Sequence, residues 1–164
     1  MSTMNAGEKP KKIVVGLDGS ERSIGALRRA VVLADALGAD LELVAVWQYP
    51  SIGSGSYPAD TELFESWARD SLVEAKAKVW GATPPASLQA YVRNGSPARV
   101  LIEESRDADM LVVGSRGHGG FAGLMLGSVS MAVAEHAKCP VLVVHDVPVS
   151  AKTASQPAVA TAQG

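Results

Sequence analysis

The chain has 164 residues, of which 47% are hydrophobic and 20% are charged, and its formal net charge is −2. This length and composition predict one globular domain with a substantial core. Nucleic acid is disfavoured as a partner, because the chain lacks the basic surplus that neutralises a run of phosphates. The single cysteine, Cys139, excludes an internal disulfide framework and a cysteine-based metal site. It stands beside Pro140, and we interpret it as a buried, unreactive thiol.

The two ends of the chain carry no targeting signal that we recognise. Residues 1–11 are polar and lack the apolar segment of a secretory signal. No apolar run reaches the ~20 residues needed to span a bilayer. We therefore expect no membrane partner and a cytoplasmic location. Residues 1–11 and the Ala-, Ser-, Thr- and Pro-rich tail 148–164 are expected to be disordered, with residues 12–147 forming the domain.

A strand and an amphipathic helix begin the domain. The apolar run 13–17 predicts a buried strand, and residues 20–37 have the three-and-four spacing of a helix. Ser20 is a suitable N-cap for that helix, and Gly38 is a suitable residue to end it. The next apolar run, 41–47, predicts a second strand.

A second helix follows a loop. Residues 50–60 are rich in Ser, Gly and Pro, which indicates a loop. Residues 61–80 predict a helix with an imperfect apolar face, formed by Leu63, Phe64, Trp67, Leu72, Ala75 and Val79.

The second half continues the alternation. Residues 87–93 alternate apolar and polar side chains and predict a half-buried strand. Ser96 and Pro97 suit the cap and first position of a third helix, from which Val100, Leu101 and Ala108 are expected to face inward. The apolar segment 110–114 predicts a fourth strand.

A fourth helix, from about residue 128 to 137, and a fifth strand, 140–145, complete the pattern. Five strands alternating with four helices predict an α/β domain with a doubly wound parallel sheet. Such sheets bind ligands beyond the carboxyl ends of their strands. The loops after the first and fourth strands are therefore the candidate binding segments.

The loop after the fourth strand is a glycine-rich stretch, Gly114 to Ser130. Glycines let a backbone approach a ligand closely, and the first amides of a helix have no partner within the helix. Together they can bind a phosphate, to which Ser128 and Ser130 can add hydroxyl donors. On the residues alone, a flexible structural connection is an equally good interpretation.

Other nucleotide motifs fit less well. The P-loop pattern with its lysine is absent, and a G-x-G-x-x-A match at 117–122 follows the fourth strand instead of the first. Arg116 is a candidate phosphate ligand, with a solvated loop cation as the alternative. His118 is a candidate for phosphate binding or acid–base chemistry, although a lone loop histidine is usually solvated.

The spacing Gly114-x-x-Gly117, nine residues, then Gly127-Ser128 resembles the motif of the ATP-binding universal stress proteins. The resemblance extends over about residues 12–146. It includes Val-Gly-Leu-Asp-Gly-Ser after the first strand, which contains Asp18, and Cys-Pro-Val-Leu-Val-Val at the last strand.

This resemblance implies a flavodoxin-like sheet with strand order 3-2-1-4-5 and an adenine nucleotide as ligand. Asp18 would contact the adenine or the ribose, and Val46 would line the adenine pocket. Gly16 and Leu17 would add backbone contacts from the first strand, and they stand where some relatives have Pro-Thr. The ribose would meet Val113 and Gly114, and the phosphates would be held mainly by the main-chain amides of Gly117, Gly127, Ser128, Val129 and Ser130.

The implied ligand is ATP, with Mg²⁺ held through the phosphates and no metal ligand from the protein side chains. The family also implies a homodimer through the fifth strand, 141–145, whose pairing would cover an apolar sheet edge. The function expected is a nucleotide-binding module of the stress response without catalytic residues. The alternatives are slow ATP hydrolysis or nucleotidyl transfer, with Ser128, Ser130 and His118 orienting water, and a dimeric interaction protein that binds AMP, cyclic AMP or no nucleotide.

Overall fold

In the computed structural model, which describes residues 11–49, 61–117 and 126–145, five parallel strands form one sheet in the order β3-β2-β1-β4-β5. The strands are β1 Lys11–Leu17, β2 Ala39–Trp47, β3 Gln89–Asn94, β4 Met110–Gly114 and β5 Val141–Val144. The helices are α1 Glu21–Leu37, α2 Thr61–Trp80, α3 Pro97–Glu104 and α4 Ser128–His136, and a 3₁₀ turn, Ser105–Asp107, follows α3. The predicted α/β fold and strand order are confirmed.

Both faces of the sheet are covered, which explains why its central strands are apolar throughout. Alternate β1 residues Ile13 and Val15 pack in one core with α1 and α2. Val14, between them, packs in a second core with Leu101 of α3 and Val133 of α4. The carboxyl ends of β1 and β4 therefore lie between two helical layers.

Local sequence signals fix the ends of α1. The Ser20 hydroxyl accepts a hydrogen bond from the Ser23 amide at 3.2 Å, and Gly38 has φ +62° while its amide bonds to the Ala34 carbonyl. Both the predicted N-cap and the predicted C-terminal glycine are confirmed. Glycine suits position 38, because residues with a Cβ meet a steric penalty at positive φ.

The predicted apolar face of α2 is wrong in part. Leu63 and Trp67 are 43% and 55% exposed, whereas the buried stripe runs through Ala68, Leu72 and Ala75. Residues at this i, i+4, i+7 spacing share one side of a helix, and Leu63 and Trp67 lie on another. Trp67 packs against Phe64 instead, with ring centroids 5.3 Å apart. The prediction gave too much weight to large apolar side chains, whereas small alanines make much of the contact with the sheet.

Smaller differences concern element ends. Ser96 occupies the N-cap position of α3, but its side chain makes no capping hydrogen bond. Lys11, predicted to be disordered, begins β1, and β3 and β5 are shorter than predicted.

Several predictions lie outside the described residues: the loop at 50–60, the middle of the glycine stretch with His118, and the predicted disorder at the two ends. Among the helices that the structure describes, none has the length and apolar composition needed to cross a bilayer.

Candidate functional site

A cavity of about 350 Å³ opens at the carboxyl ends of the central strands. Every predicted site residue that the structure describes lines it: Gly16, Leu17, Asp18, Val46, Val113, Gly114, Arg116, Gly117, Gly127, Ser128, Val129 and Ser130. His118 lies outside the described residues. The topology therefore brings together two loops that are about a hundred residues apart in the chain, as expected where the strand order reverses.

Sequence reasoning missed four residues that line the same cavity, namely Ser23, Val44, Pro97 and Leu101. The alternation of side chains along a strand was a usable signal for Val44, since it lies two residues from Val46 and on the same face of β2. Leu101 was expected only to face the core. Nothing in the local sequence connects α3 with the other loops, so Pro97 and Leu101 required the three-dimensional arrangement.

One end of the cavity is apolar. Val44 and Val46 from β2, Val113 from β4 and Leu101 from α3 contribute to it. Gly16 allows this arrangement, because a Cβ at that position would lie only 2.9 Å from Leu101 Cδ1. Such a surface suits the faces of a planar heterocycle, which gains from apolar contact.

The other end of the cavity is set by two hydrogen bonds that join the ends of the glycine stretch. The Gly127 amide donates to the Ser115 carbonyl at 2.7 Å, and the Ser130 hydroxyl donates to the Gly114 carbonyl at 2.6 Å. Ser130 is only 4% exposed. These bonds place the start of α4 directly beside the end of β4. They also engage the Ser130 hydroxyl as a donor. The Ser130 amide and the exposed Ser128 hydroxyl therefore remain as donors for a ligand.

The start of α4 presents unpaired amides to the cavity. Gly127 is its N-cap, no side chain caps it, and its first turn contains no acidic residue. The first main-chain bond of the helix runs from the Met131 amide to the Gly127 carbonyl. The amides of residues 128–130 precede that bond, and no other described residue accepts a hydrogen bond from them. The positive end of the helix dipole thus faces the cavity without compensation.

Arg116 adds a cation to this end. Its side chain lines the cavity, and its Nε is buried without a hydrogen-bond partner among the described residues. A buried N–H that lacks a partner costs about 1–3 kcal/mol, so native proteins rarely retain one without a reason. An anion bound between Arg116 and α4 would satisfy it.

Asp18 connects the two loops. Its Oδ1 accepts hydrogen bonds from the Ser20 amide at 2.9 Å and the Ser20 hydroxyl at 2.6 Å. Its Oδ2 lies so close to Gly117 that a Cβ there would overlap it. Gly117 is therefore required for the contact between the loops. Within the described part of the chain, no three His, Cys, Asp or Glu side chains are grouped as metal ligands.

The model of the universal stress protein family matches residues 9–145, which is most of the chain. The chain belongs to this family. Among curated relatives, universal stress protein Rv2623 of Mycobacterium tuberculosis is 34% identical over 135 residues, covering 82% of this chain and 45% of that protein. Universal stress protein MJ0531 of Methanocaldococcus jannaschii is 33% identical over 142 residues, covering 82% of this chain and 81% of the relative.

A solved universal stress protein in complex with cAMP has the same fold, with a TM-score of 0.64 and 30% sequence identity. The match covers 84% of this chain and 98% of that one. The mycobacterial relatives are longer, and the chain spans about half their length.

Proposed function

We propose that this universal stress protein binds an adenine nucleotide, ATP in particular, and acts as a binding module of the stress response. One observation carries the proposal: the start of α4, whose first three amides have no partner among the described residues, and Arg116, whose Nε likewise lacks a described partner, line one cavity. Both features favour a negatively charged group. Phosphate oxygens are acceptors that suit amides and a guanidinium alike.

The opposite end of the cavity supports the choice of adenine. Val44, Val46, Leu101 and Val113 offer apolar contacts to a purine. Asp18, whose Oδ2 lies beside Gly117, offers a hydrogen-bond acceptor to an amino group or a ribose hydroxyl. The structurally similar family member in complex with cAMP also supports an adenine nucleotide. ATP is preferred over AMP and cAMP because the glycine spacing resembles that of the ATP-binding members.

Magnesium is proposed to enter with the nucleotide. Mg²⁺ binds phosphate oxygens and retains several waters, so it needs few protein ligands. The described residues around the α4 end of the cavity are mostly glycines and serines with Arg116 and Val129, and Asp18 is the one carboxylate among the described lining residues. This set fits phosphate contacts better than a metal site built from several protein ligands. The metal would neutralise part of the triphosphate charge that the amides and Arg116 do not.

We further propose a cytoplasmic homodimer that forms through β5. This strand is at the end of the sheet order, so one of its edges has no neighbour within the described sheet. Pairing Val141–Val144 with the same strand of a second copy would use that edge. Sedimentation of the wild type and a Val143→Pro variant tests this, since proline removes a ladder donor and should yield monomers.

Calorimetric titration with ATP, AMP, cAMP and GTP, each with and without Mg²⁺, tests the proposed ligand. The wild type should bind Mg·ATP best, and Arg116→Gln should weaken binding about tenfold, because it removes a charge-assisted hydrogen bond. Arg106→Gln is the matched control, since Arg106 pairs with Glu103 on the surface. No binding of any adenine nucleotide, or equal losses in the two variants, would contradict the proposal.

Glycine substitutions would give a less clear answer. A Cβ at Gly117 would overlap Asp18, and one at Gly127 would lie 3.3 Å from Arg116 Cα. Valine at either position would therefore displace the loops before any ligand arrived. Loss of binding in such variants would not identify a phosphate contact, which is why the arginine pair is preferred.

A further inference from the structure

The Asp18 carboxylate is held by one neighbouring residue. The amide and hydroxyl of Ser20 both donate to Asp18 Oδ1, at 2.9 and 2.6 Å. Asp18 Oδ2 lies against Gly117 and accepts no hydrogen bond from the described residues. The two oxygens of this carboxylate are therefore unequal: Ser20 holds one, and the other, on a residue that lines the cavity, has no hydrogen-bond partner among the described residues.

The Ser20 hydroxyl also has a second partner. It accepts a hydrogen bond from the Ser23 amide at 3.2 Å and thereby caps α1. Ser20 is 8% exposed and Ser23 is 4% exposed, so water has little access to this pair. The Ser20 hydroxyl thus acts both as the acceptor for the Ser23 amide and as a donor to Asp18. Its place in the buried start of α1 makes it a rigid support for an otherwise exposed carboxylate.

We propose that Ser20 is a positioning residue for the ligand, which it serves by turning Asp18 Oδ2 into the cavity. This inference rests on the proposed function, because the ligand must carry a donor for Oδ2. The donor is an N–H or O–H group of the nucleoside, either the 6-amino group of adenine or a ribose hydroxyl. Without the Ser20 hydroxyl, only the Ser20 amide holds Oδ1, and a single hydrogen bond fixes the direction of the carboxylate less well than two.

Two substitutions separate positioning from capping. Ser20→Thr keeps the hydroxyl and should retain ATP affinity within about twofold. Ser20→Gly removes the hydroxyl that donates to Asp18 without adding a charge, and glycine remains an acceptable N-cap residue. Its ATP affinity should fall about tenfold while the urea midpoint of unfolding stays near that of the wild type. Ser71→Ala is the control for removal of a serine hydroxyl, since the Ser71 hydroxyl bonds to the Trp67 carbonyl on α2 and Ser71 does not line the cavity.

A double-mutant cycle tests whether Ser20 acts through Asp18. In an Asp18→Ala background, Ser20→Gly should change ATP affinity by less than about twofold, because the group that Ser20 positions is gone. A full tenfold loss in that background would mean that Ser20 affects binding independently of Asp18. That result would overturn the proposal.

Nucleotide analogues identify the donor. Purine riboside triphosphate lacks the 6-amino group, and 2′-deoxy-ATP lacks one ribose hydroxyl. The wild type should discriminate against one of them, and Ser20→Gly should lose that discrimination while Ser20→Thr retains it. Equal discrimination by Ser20→Gly and the wild type would contradict the positioning role.

The two proposals can fail separately. If the wild type binds no adenine nucleotide, the proposed function fails. Crystals of the ligand-free wild type and Ser20→Gly then decide the orientation directly. The wild type should keep Asp18 Oδ2 beside Gly117, and the variant should lose that contact. An unchanged carboxylate in Ser20→Gly would overturn the positioning role whatever the ligand.

Discussion

Two of the helices that begin at the cavity, α1 and α4, have opposite chemistry at their first turns. At α1, the Ser20 hydroxyl accepts from a first-turn amide and Glu21 places an acidic residue in the same turn. At α4, the cap is Gly127, which has no side chain, and the first turn contains no acid. Both helices follow strands that are adjacent in the sheet, β1 and β4. Neighbouring positions in the fold therefore carry different chemistry.

This difference separates a structural helix start from one that is suited to a ligand. At α1 the protein pairs one first-turn amide, that of Ser23, with its own Ser20 hydroxyl, which also donates to Asp18. At α4 no described residue accepts a hydrogen bond from the amides of residues 128–130, which leaves them for a bound anion. The most direct way to break the contrast is to give α4 the acidic first turn that α1 already has.

Ser128→Glu does this at an exposed position of α4. The added carboxylate should weaken ATP binding about 100-fold, because it opposes the phosphates at close range. It should also raise the free energy of unfolding by about 0.3–1 kcal/mol, because an acid complements the helix dipole. Calorimetry and urea unfolding measure the two effects, which have opposite signs.

Ala134→Glu is the control for Ser128→Glu, since Ala134 is exposed later in the same helix and does not line the cavity. Its ATP affinity should remain within about twofold of the wild type, because an exposed charge beyond the first turn is largely screened. If Ser128→Glu bound ATP as well as Ala134→Glu does, the start of α4 would not be the phosphate site.

The second way to alter α4 is to release it from β4. Ser130→Ala removes the 2.6 Å bond to the Gly114 carbonyl and leaves a buried acceptor without this donor. We expect the free energy of unfolding to fall by about 1–2 kcal/mol. Ser128→Ala, at an exposed position, should change it by less than about 0.5 kcal/mol. Urea unfolding of the pair gives the comparison, and equal stabilities would mean that the bond between Ser130 and Gly114 does not hold the loop ends.

A smaller effect is expected when capping serines are removed elsewhere. Ser20→Ala should lower the free energy of unfolding by about 1 kcal/mol, because it removes a formed cap. Ser96→Ala should have an effect below about 0.5 kcal/mol, because Ser96 makes no side-chain capping bond in α3. Thermal or urea unfolding distinguishes the two. A loss at Ser96 as large as that at Ser20 would refute the assignment of caps.

The sequence predicted those features that depend on neighbours in the chain. The spacing of apolar residues predicted which segments along the chain form strands and which form helices. Ser20 and Gly38 predicted the two ends of α1. The glycine spacing and Asp18 predicted the cavity, because parallel strands bring their carboxyl ends to one edge. Features that depend on packing between distant segments were not predicted. These include the contact of Leu101 with Gly16, the use of the Ser130 hydroxyl within the protein, and the exposure of Trp67.

The opposite end of α4 supplies the last comparison and the smallest expected effect. Cys139 lies just beyond the helix, half-buried, and burial followed by the negative charge of Asp109 raises the pKa of its thiol, although a backbone hydrogen bond from Leu111 opposes this. A raised pKa means less thiolate at neutral pH, and the thiolate is the nucleophile.

Iodoacetamide should therefore modify Cys139 more slowly than free cysteine at pH 7, with a rate that rises only at higher pH. Asp109→Asn should lower the pKa and speed the reaction, whereas Asp107→Asn on the exposed 3₁₀ turn should not. Reaction at the rate of free cysteine in the wild type would mean that this end of α4 does not disfavour an anion, and the contrast between the two ends of the helix would be lost.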